Sequence, residues 1–220
     1  MPSWIHDILF LAVIRPLLWG GLGLVVRHRE RLPARGPAIL IANHNSHLDA
    51  LILMALFPHR LLDRLRPVVA AEYFRRTRLR RWVAFRLLHA IALDRQACGR
   101  CDILAPCLRA LDDDAILIFF PEGTRGEPGR LAALRVGIAH LAARRPQVPI
   151  VPIYLVGTDR VLPKGSVVPV PILCSAVVGP PLGWGGDRVG FLAAFDDRLR
   201  ALEHEAAGAS GGELGMARGS

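Results

Sequence analysis

Ala38-Ile39-Leu40-Ile41-Ala42-Asn43-His44-Asn45-Ser46-His47-Leu48-Asp49 is the stretch on which the fold turns. Residues 38–42 are short, apolar and rich in branched side chains, the pattern of a buried strand. A polar loop follows at once. Residues 49–57 are then apolar without a helix breaker and read as a helix that ends at Pro58. Strand, polar loop and helix in succession form the unit from which α/β sheets are built.

The same alternation recurs on both sides of this stretch. Gly36-Pro37 closes a basic linker. Strands are expected at 67–71, 91–93, 115–120 and 148–156, with a last strand or hairpin at 167–178. Helices are expected at 73–89, about 99–111 (with Pro106 inside), 131–144 and about 187–204. The sequence therefore predicts an α/β fold with a mostly parallel sheet flanked by helices. The segment from about residue 207 is small, polar and Gly-rich, and reads as a disordered tail.

With 220 residues the chain suits one globular domain with additions at its ends. Its 52% hydrophobic content and mean hydropathy of +0.33 are high for a freely soluble protein, so some apolar surface is expected to face lipid. Residues 8–26 are apolar apart from Arg15. A spanning helix needs about 20 apolar residues, and Arg15-Pro16 interrupts this one with a charge and a helix breaker. No cleavage site follows, so a signal peptide is not expected. Two short helices, about 4–14 and 16–26, lying in one leaflet fit best. Trp4 and Trp19 would sit at the interface, and Arg27, His28, Arg29 and Arg31 at the headgroups. A buried helix pair capping the domain and a true single span are the alternatives.

The formal charge is +9, from 28 Lys+Arg against 19 Asp+Glu, and nearly all the cations are arginines. Such a surface attracts nucleic acid, anionic lipid or an acidic ligand or carrier protein. No nucleic-acid motif is present and aromatics are only 6%, too few for base stacking. Lipid and phosphorylated substrates are therefore favoured, with no nucleic-acid partner. The run Arg75, Arg76, Arg78, Arg80, Arg81 with Arg86 adds a cationic patch suited to anionic lipid, CoA phosphates or an acidic carrier. Of the four cysteines, Cys98 and Cys101 have a metal or redox spacing, but no second pair accompanies them. Reduced thiols and a cytoplasmic setting are expected.

Two polar segments carry the chemistry. His44 follows a buried strand, where reactive groups of open α/β sheets collect, and His is suited to proton transfer near neutral pH. On a continuous helix His44 and Asp49 would point about 140° apart. If the chain turns between them and Asp49 opens the next helix, the carboxylate can orient the imidazole. A loop histidine beside a helix-capping aspartate is the plainer reading. A metal set of His44, His47 and Asp49 is a further one, unusually compact. No elbow-type Ser or Cys accompanies the pair, which favours direct attack by a substrate hydroxyl over a covalent acyl-enzyme. The second segment, Phe120-Pro121-Glu122-Gly123-Thr124-Arg125, also follows a buried strand. Its arginine presents the donor fork that suits phosphate, although a surface turn with a local ion pair would look the same.

Together these segments resemble the paired signatures of the PlsC-like glycerophospholipid acyltransferase family, which includes the 1-acyl-glycerol-3-phosphate acyltransferases. His44 and Asp49 match its first motif, and Glu122, Gly123, Thr124 and Arg125 its phosphate-binding motif. Asp94-Arg95 and Val148-Pro149-Ile150-Val151-Pro152-Ile153 match two more. The likeness covers residues 36–183. Gly126 stands where many members have Ser, and Arg135 where Lys is common; both bear on the headgroup. The resemblance implies that His44, supported by Asp49, deprotonates an acceptor hydroxyl that attacks the thioester of acyl-CoA or acyl-carrier protein. Glu122, Gly123, Thr124 and Arg125 would bind the acceptor phosphate with help from Arg95, and no metal or prosthetic group would be needed. The implied organisation is membrane-associating helices over 1–30, an acyltransferase domain over 31–205 and a disordered tail over 206–220, at the cytoplasmic face of the inner membrane. The simplest acceptor is a lysophospholipid, 1-acyl-sn-glycerol-3-phosphate. Glycerol-3-phosphate, a lyso-ornithine lipid or another lysophospholipid are alternatives, as are a non-catalytic lipid-binding protein and a hydrolase.

Overall fold

Every residue of Ala38–Ala42 is buried, and this strand, β2, stands at the centre of the sheet. The computed structural model describes residues 8, 10–21, 23–46, 48–71, 85, 87–93, 102–120, 136–161 and 174–216. Around β2 run β1 (Val25–Arg27), β3 (Leu65–Ala70), β4 (Ile91–Leu93), β5 (Ile116–Phe119), β6 (Ile150–Val156) and β7 (Ser175–Val178). They form one sheet in the order β1-β7-β6-β2-β5-β3-β4. The five strands from β6 to β4 are parallel; β7 runs antiparallel to β6, and β1 follows β7.

Side chains alternate across the sheet. Ala38, Leu40 and Ala42 of β2 join Ile116 and Ile118 in one core layer with helix α1 (Asp49–Ala55). Ile39 and Ile41 join Leu117 in the other layer. Helices α2 (Ala105–Asp112), α3 (Val136–Arg144) and α5 (Arg188–Met216) cover that second face through Cys107, Leu111, Ile138, Leu141, Phe195 and Leu199. A short helix, α4 (Thr158–Val161), follows β6. Burying each large aliphatic chain of β2 contributes about 1.5–3 kcal/mol, which is why so short a strand can anchor two layers.

The expected strands at 38–42 and 91–93 have the observed bounds, and three others differ by one or two residues at one or both ends. Four differences have physical causes. The second N-terminal helix was expected to reach residue 26. Instead, two π-type turns, Phe10–Ile14 and Leu17–Gly21, are followed by strand β1. Gly20, Gly21 and Gly23 weaken a helix there, Gly23 takes a left-handed φ of 54°, and Val25-Val26 find sheet partners in Ser175-Ala176. Nor do the described residues of the N-terminal stretch all stand apart from the rest: Phe10, Leu18 and Leu24 are buried in the same core layer as α1. Helix α2 starts at Ala105 rather than near 99. The Asp102 side chain accepts from the Leu104 N–H at 3.1 Å, setting the turn before it, and Pro106 sits in the first helical turn, where a missing N–H is harmless. Finally, α5 continues to Met216, past the expected end near 204 and through much of the expected disordered tail. Tyr154 Oη donates to Glu203 at 2.8 Å, His28 Nε2 meets Glu205 at 2.9 Å, and Leu202 and Ala206 pack on Tyr154 and Val177.

No helix among the described residues is long and apolar enough to cross a membrane. Trp19 packs against the core rather than standing free, with the Arg29 guanidinium 5.5 Å from its ring centre. Arg29 and Arg31 donate to the carbonyls of Leu56 and Val178 at 3.1 and 3.0 Å. Ile8, Leu11, Val13 and Leu17 remain largely exposed. The basic stretch over 72–84, with Arg86, the residue pair Cys98 and Cys101, Trp4, and the expected strand over 167–173 lie outside the described residues. Cys107 and Cys174 are buried and are not joined in a disulfide.

Candidate active site

Strands β2 and β5 are parallel neighbours, with Ile41 paired to Phe119, so the residues that follow them emerge side by side at the carboxyl end of the sheet. They are Asn43 and His44 after β2, and Phe120 after β5. The rings of His44 and Phe120 pack at a centroid separation of 4.3 Å with 33° between planes. The chain then doubles back, and Asp49 opens α1 at the same edge.

This turn brings the pair together. Asp49 Oδ2 lies 3.0 Å from His44 Nδ1. The same oxygen accepts the main-chain N–H groups of Asn45 and Ser46, each at 2.7 Å. The carboxylate has no solvent exposure, whereas the His44 side chain keeps 20%. Burying an unpaired carboxylate costs several kcal/mol; three converging donors at the first turn of a helix offset that cost. With Nδ1 donating to Asp49, Nε2 is left as the lone-pair nitrogen. No group among the described residues bonds it. Asp49 Oδ1, also buried, has no hydrogen-bond partner in the described structure.

Two groups escaped the reading of the sequence. Asn43 is 3% exposed; its Nδ2 donates to the Leu155 carbonyl at 2.9 Å and its Oδ1 accepts from the Leu155 N–H at 2.7 Å. Phe120 was read only as the end of a strand and the first residue of the second segment, yet its ring lies against His44. An amide immediately after a buried strand was the signal available for Asn43. For Phe120 the pairing of two strands remote in sequence gave none. Ser46 accepts from the Leu48 N–H through its hydroxyl at 3.3 Å and is buried, so it serves the loop. Arg95, Glu122, Gly123, Thr124 and Arg125 lie outside the described residues, as do His47, Asp94, Gly126 and Arg135. Among the described residues no three His, Cys, Asp or Glu side chains are grouped to hold a metal.

A largely parallel α/β sheet with an imidazole–carboxylate pair at its carboxyl end is an arrangement chemically able to move a proton to or from a ligand bound there. The chain belongs to the Acyltransferase family, whose model matches residues 23–156. It is similar to a chloroplastic 1-acyl-sn-glycerol-3-phosphate acyltransferase of Brassica napus, with 29% identity over 68% of this chain and 43% of that protein. It is also similar to the 1-acyl-sn-glycerol-3-phosphate acyltransferase of Limnanthes douglasii, at 32% over 77% and 59%. The alpha form of Bos taurus is 29% identical over 82% of this chain and 61% of its own length. The chain thus spans about half the length of these curated relatives. The crystal structure of the 1-acyl-sn-glycerophosphate acyltransferase PlsC from Thermotoga maritima shares the fold, with a TM-score of 0.70 at 21% identity over 93% of this chain and 80% of that one.

Proposed function

We propose that the chain is an O-acyltransferase that moves a fatty acyl group from acyl-CoA or acyl-carrier protein to the free hydroxyl of a lysophospholipid, converting 1-acyl-sn-glycerol-3-phosphate to phosphatidate. The observation that carries this reading is the His44–Asp49 contact, which leaves Nε2 of His44 free to take a proton. The names of its relatives, 1-acyl-sn-glycerol-3-phosphate acyltransferases, support the choice of acceptor.

In this reading His44 Nε2 accepts the acceptor's hydroxyl proton as that oxygen bonds to the thioester carbonyl carbon. The tetrahedral oxyanion collapses, the C–S bond breaks, and the proton passes from His44 to the departing thiolate. Asp49 holds the tautomer and balances the transient imidazolium. Arg125, in the loop of Glu122, Gly123 and Thr124, binds the acceptor phosphate with Arg95, as a guanidinium fork is suited to do. The donor is a co-substrate, and the residues call for no prosthetic group. The exposed Ile8, Leu11, Val13 and Leu17 rest in the outer part of one leaflet at the cytoplasmic face.

The test is a panel assay. Purified protein in detergent receives one labelled acyl-CoA or acyl-carrier protein and a set of acceptors: lysophosphatidate, glycerol-3-phosphate, lyso-ornithine lipid and other lysophospholipids. Phosphatidate as the main product is expected, and His44→Ala should lower its rate by about 10²–10⁴-fold. A folded His44→Ala protein working at the wild-type rate would remove the histidine from its role.

A further inference from the structure

The β2–β6 ladder runs in parallel register from Ile39↔Ile150 to Ala42↔Ile153. Continued by main chain, it would next engage Leu155 of β6, which is 1% exposed. Main chain does not do this. The carboxamide of Asn43 occupies the place of a peptide group, accepting from the Leu155 N–H and donating to the Leu155 carbonyl. The ladder is thereby satisfied while the backbone is released from the sheet at residue 43. His44 is the next residue, and Asp49, fixed by α1, is its partner.

We propose that Asn43 is a positioning residue for His44: by replacing main chain in the β2–β6 ladder, its amide lets the backbone leave the sheet and bring the imidazole onto Asp49. The loop is then clamped at both ends, by Asn43 on β6 and by Asp49 at the head of α1. Only asparagine fits both demands at this distance. Aspartate lacks the donor, glutamine is one methylene too long, and serine cannot reach both groups. Asn45 Nδ2 also approaches the Leu155 carbonyl, at 3.4 Å, but offers nothing to the Leu155 N–H. The proposal rests on the reading of His44 as the base.

Losing the amide leaves buried sheet groups unpaired, so stability and positioning have to be read separately. The full chain in detergent, labelled with ¹⁵N-histidine, is compared with Asn43→Ala and with the isosteric Asn43→Asp. Circular dichroism reports folding. The His44 Nδ1–H resonance reports the contact with Asp49, and steady-state assays give kcat and KM for lysophosphatidate. Displacing a reacting group by about 1 Å can cost on the order of 100-fold in rate. A folded variant is therefore expected to lose about 30- to 100-fold in kcat, with KM within about twofold and the Nδ1–H signal shifted or lost. A folded variant with wild-type kcat and an unchanged signal overturns the proposal. So does a fall in activity that only tracks the folded fraction, or the failure of both variants to fold. Activity retained in His44→Ala defeats the base reading itself, whereas an inactive His44→Ala beside a fully active Asn43→Ala defeats only this proposal.

Discussion

Asp49 concentrates three donors on one carboxylate oxygen, and this makes it both the orienter of His44 and the hub of the loop. The two functions separate in Asp49→Asn. An amide oxygen at the Oδ2 position can still accept the N–H groups of Asn45 and Ser46, so the loop keeps its shape. The charge that balances an imidazolium is gone, and the new NH₂ group lies where Oδ1 is buried without a partner. We expect kcat to fall by about 10²–10⁴-fold with little change in KM, measured with lysophosphatidate and acyl-CoA. An equal loss in kcat/KM carried wholly by KM would show that Asp49 serves binding instead. The His44–Asp49 contact was legible in the sequence because a five-residue offset closes only if the chain turns, and polar residues at 43–47 between strand and helix allow that turn. Asn43 and Phe120 were less legible. Their contacts are with Leu155 and His44, groups that share no local sequence pattern with them.

Among the elements, α5 illustrates how a helix is started and how far it can run. The Asp187 carboxylate accepts from the N–H groups of Gly190 at 2.6 Å and Val189 at 3.2 Å. These main-chain bonds hold its carboxyl below the usual aspartate range. The sign follows: a depressed carboxyl stabilises the fold while ionised, and that contribution is lost as pH falls through its folded-state value. Asp187→Ala should lower the thermal unfolding temperature by a few degrees near pH 7, with the gap from wild type narrowing in acid. A gap that stays constant down to pH 2 would mean the side chain is not acting as a cap. Strands β2 and β5 were legible because each is a continuous apolar run buried on both faces along nearly its whole length, and β4, half-buried at the sheet edge, because it too is a short apolar run. Strand β1 was not. Val25–Arg27 adjoins a helical stretch, and only its distant partner β7 makes it a strand.

For the whole molecule, two core layers shelter two thiols. Burial pushes Cys107 up to about 12. Burial, with the Asp49 and Asp159 carboxylates adding to it, pushes Cys174 up to about 11. In the unfolded chain both ionise near their ordinary value of 9.0. The folded state therefore holds these protons more tightly; stability is full below about pH 9 and declines as pH rises toward 11 and 12. Native protein at pH 8 should leave both unmodified by an alkylating reagent, as read by peptide mass mapping, and denaturant should expose them. Rapid labelling of Cys107 in native protein would mean that the second core layer opens readily. The parallel centre of the sheet could be inferred from alternating strands and helices, but not the edge made by β1 and β7, which pair in parallel with each other from opposite ends of the chain while β7 runs antiparallel to β6.

That edge also sets an order of events. Val25 pairs with Ser175 and Arg27 with Val177, so a nascent chain emerging from the ribosome carries β1 without a strand to join until nearly all of the sheet has been translated. Throughout that interval the core layer that Phe10, Leu18 and Leu24 share with Ala176 and Val178 is incomplete, and whatever these apolar residues meet first, lipid or chaperone, meets them before the domain has closed.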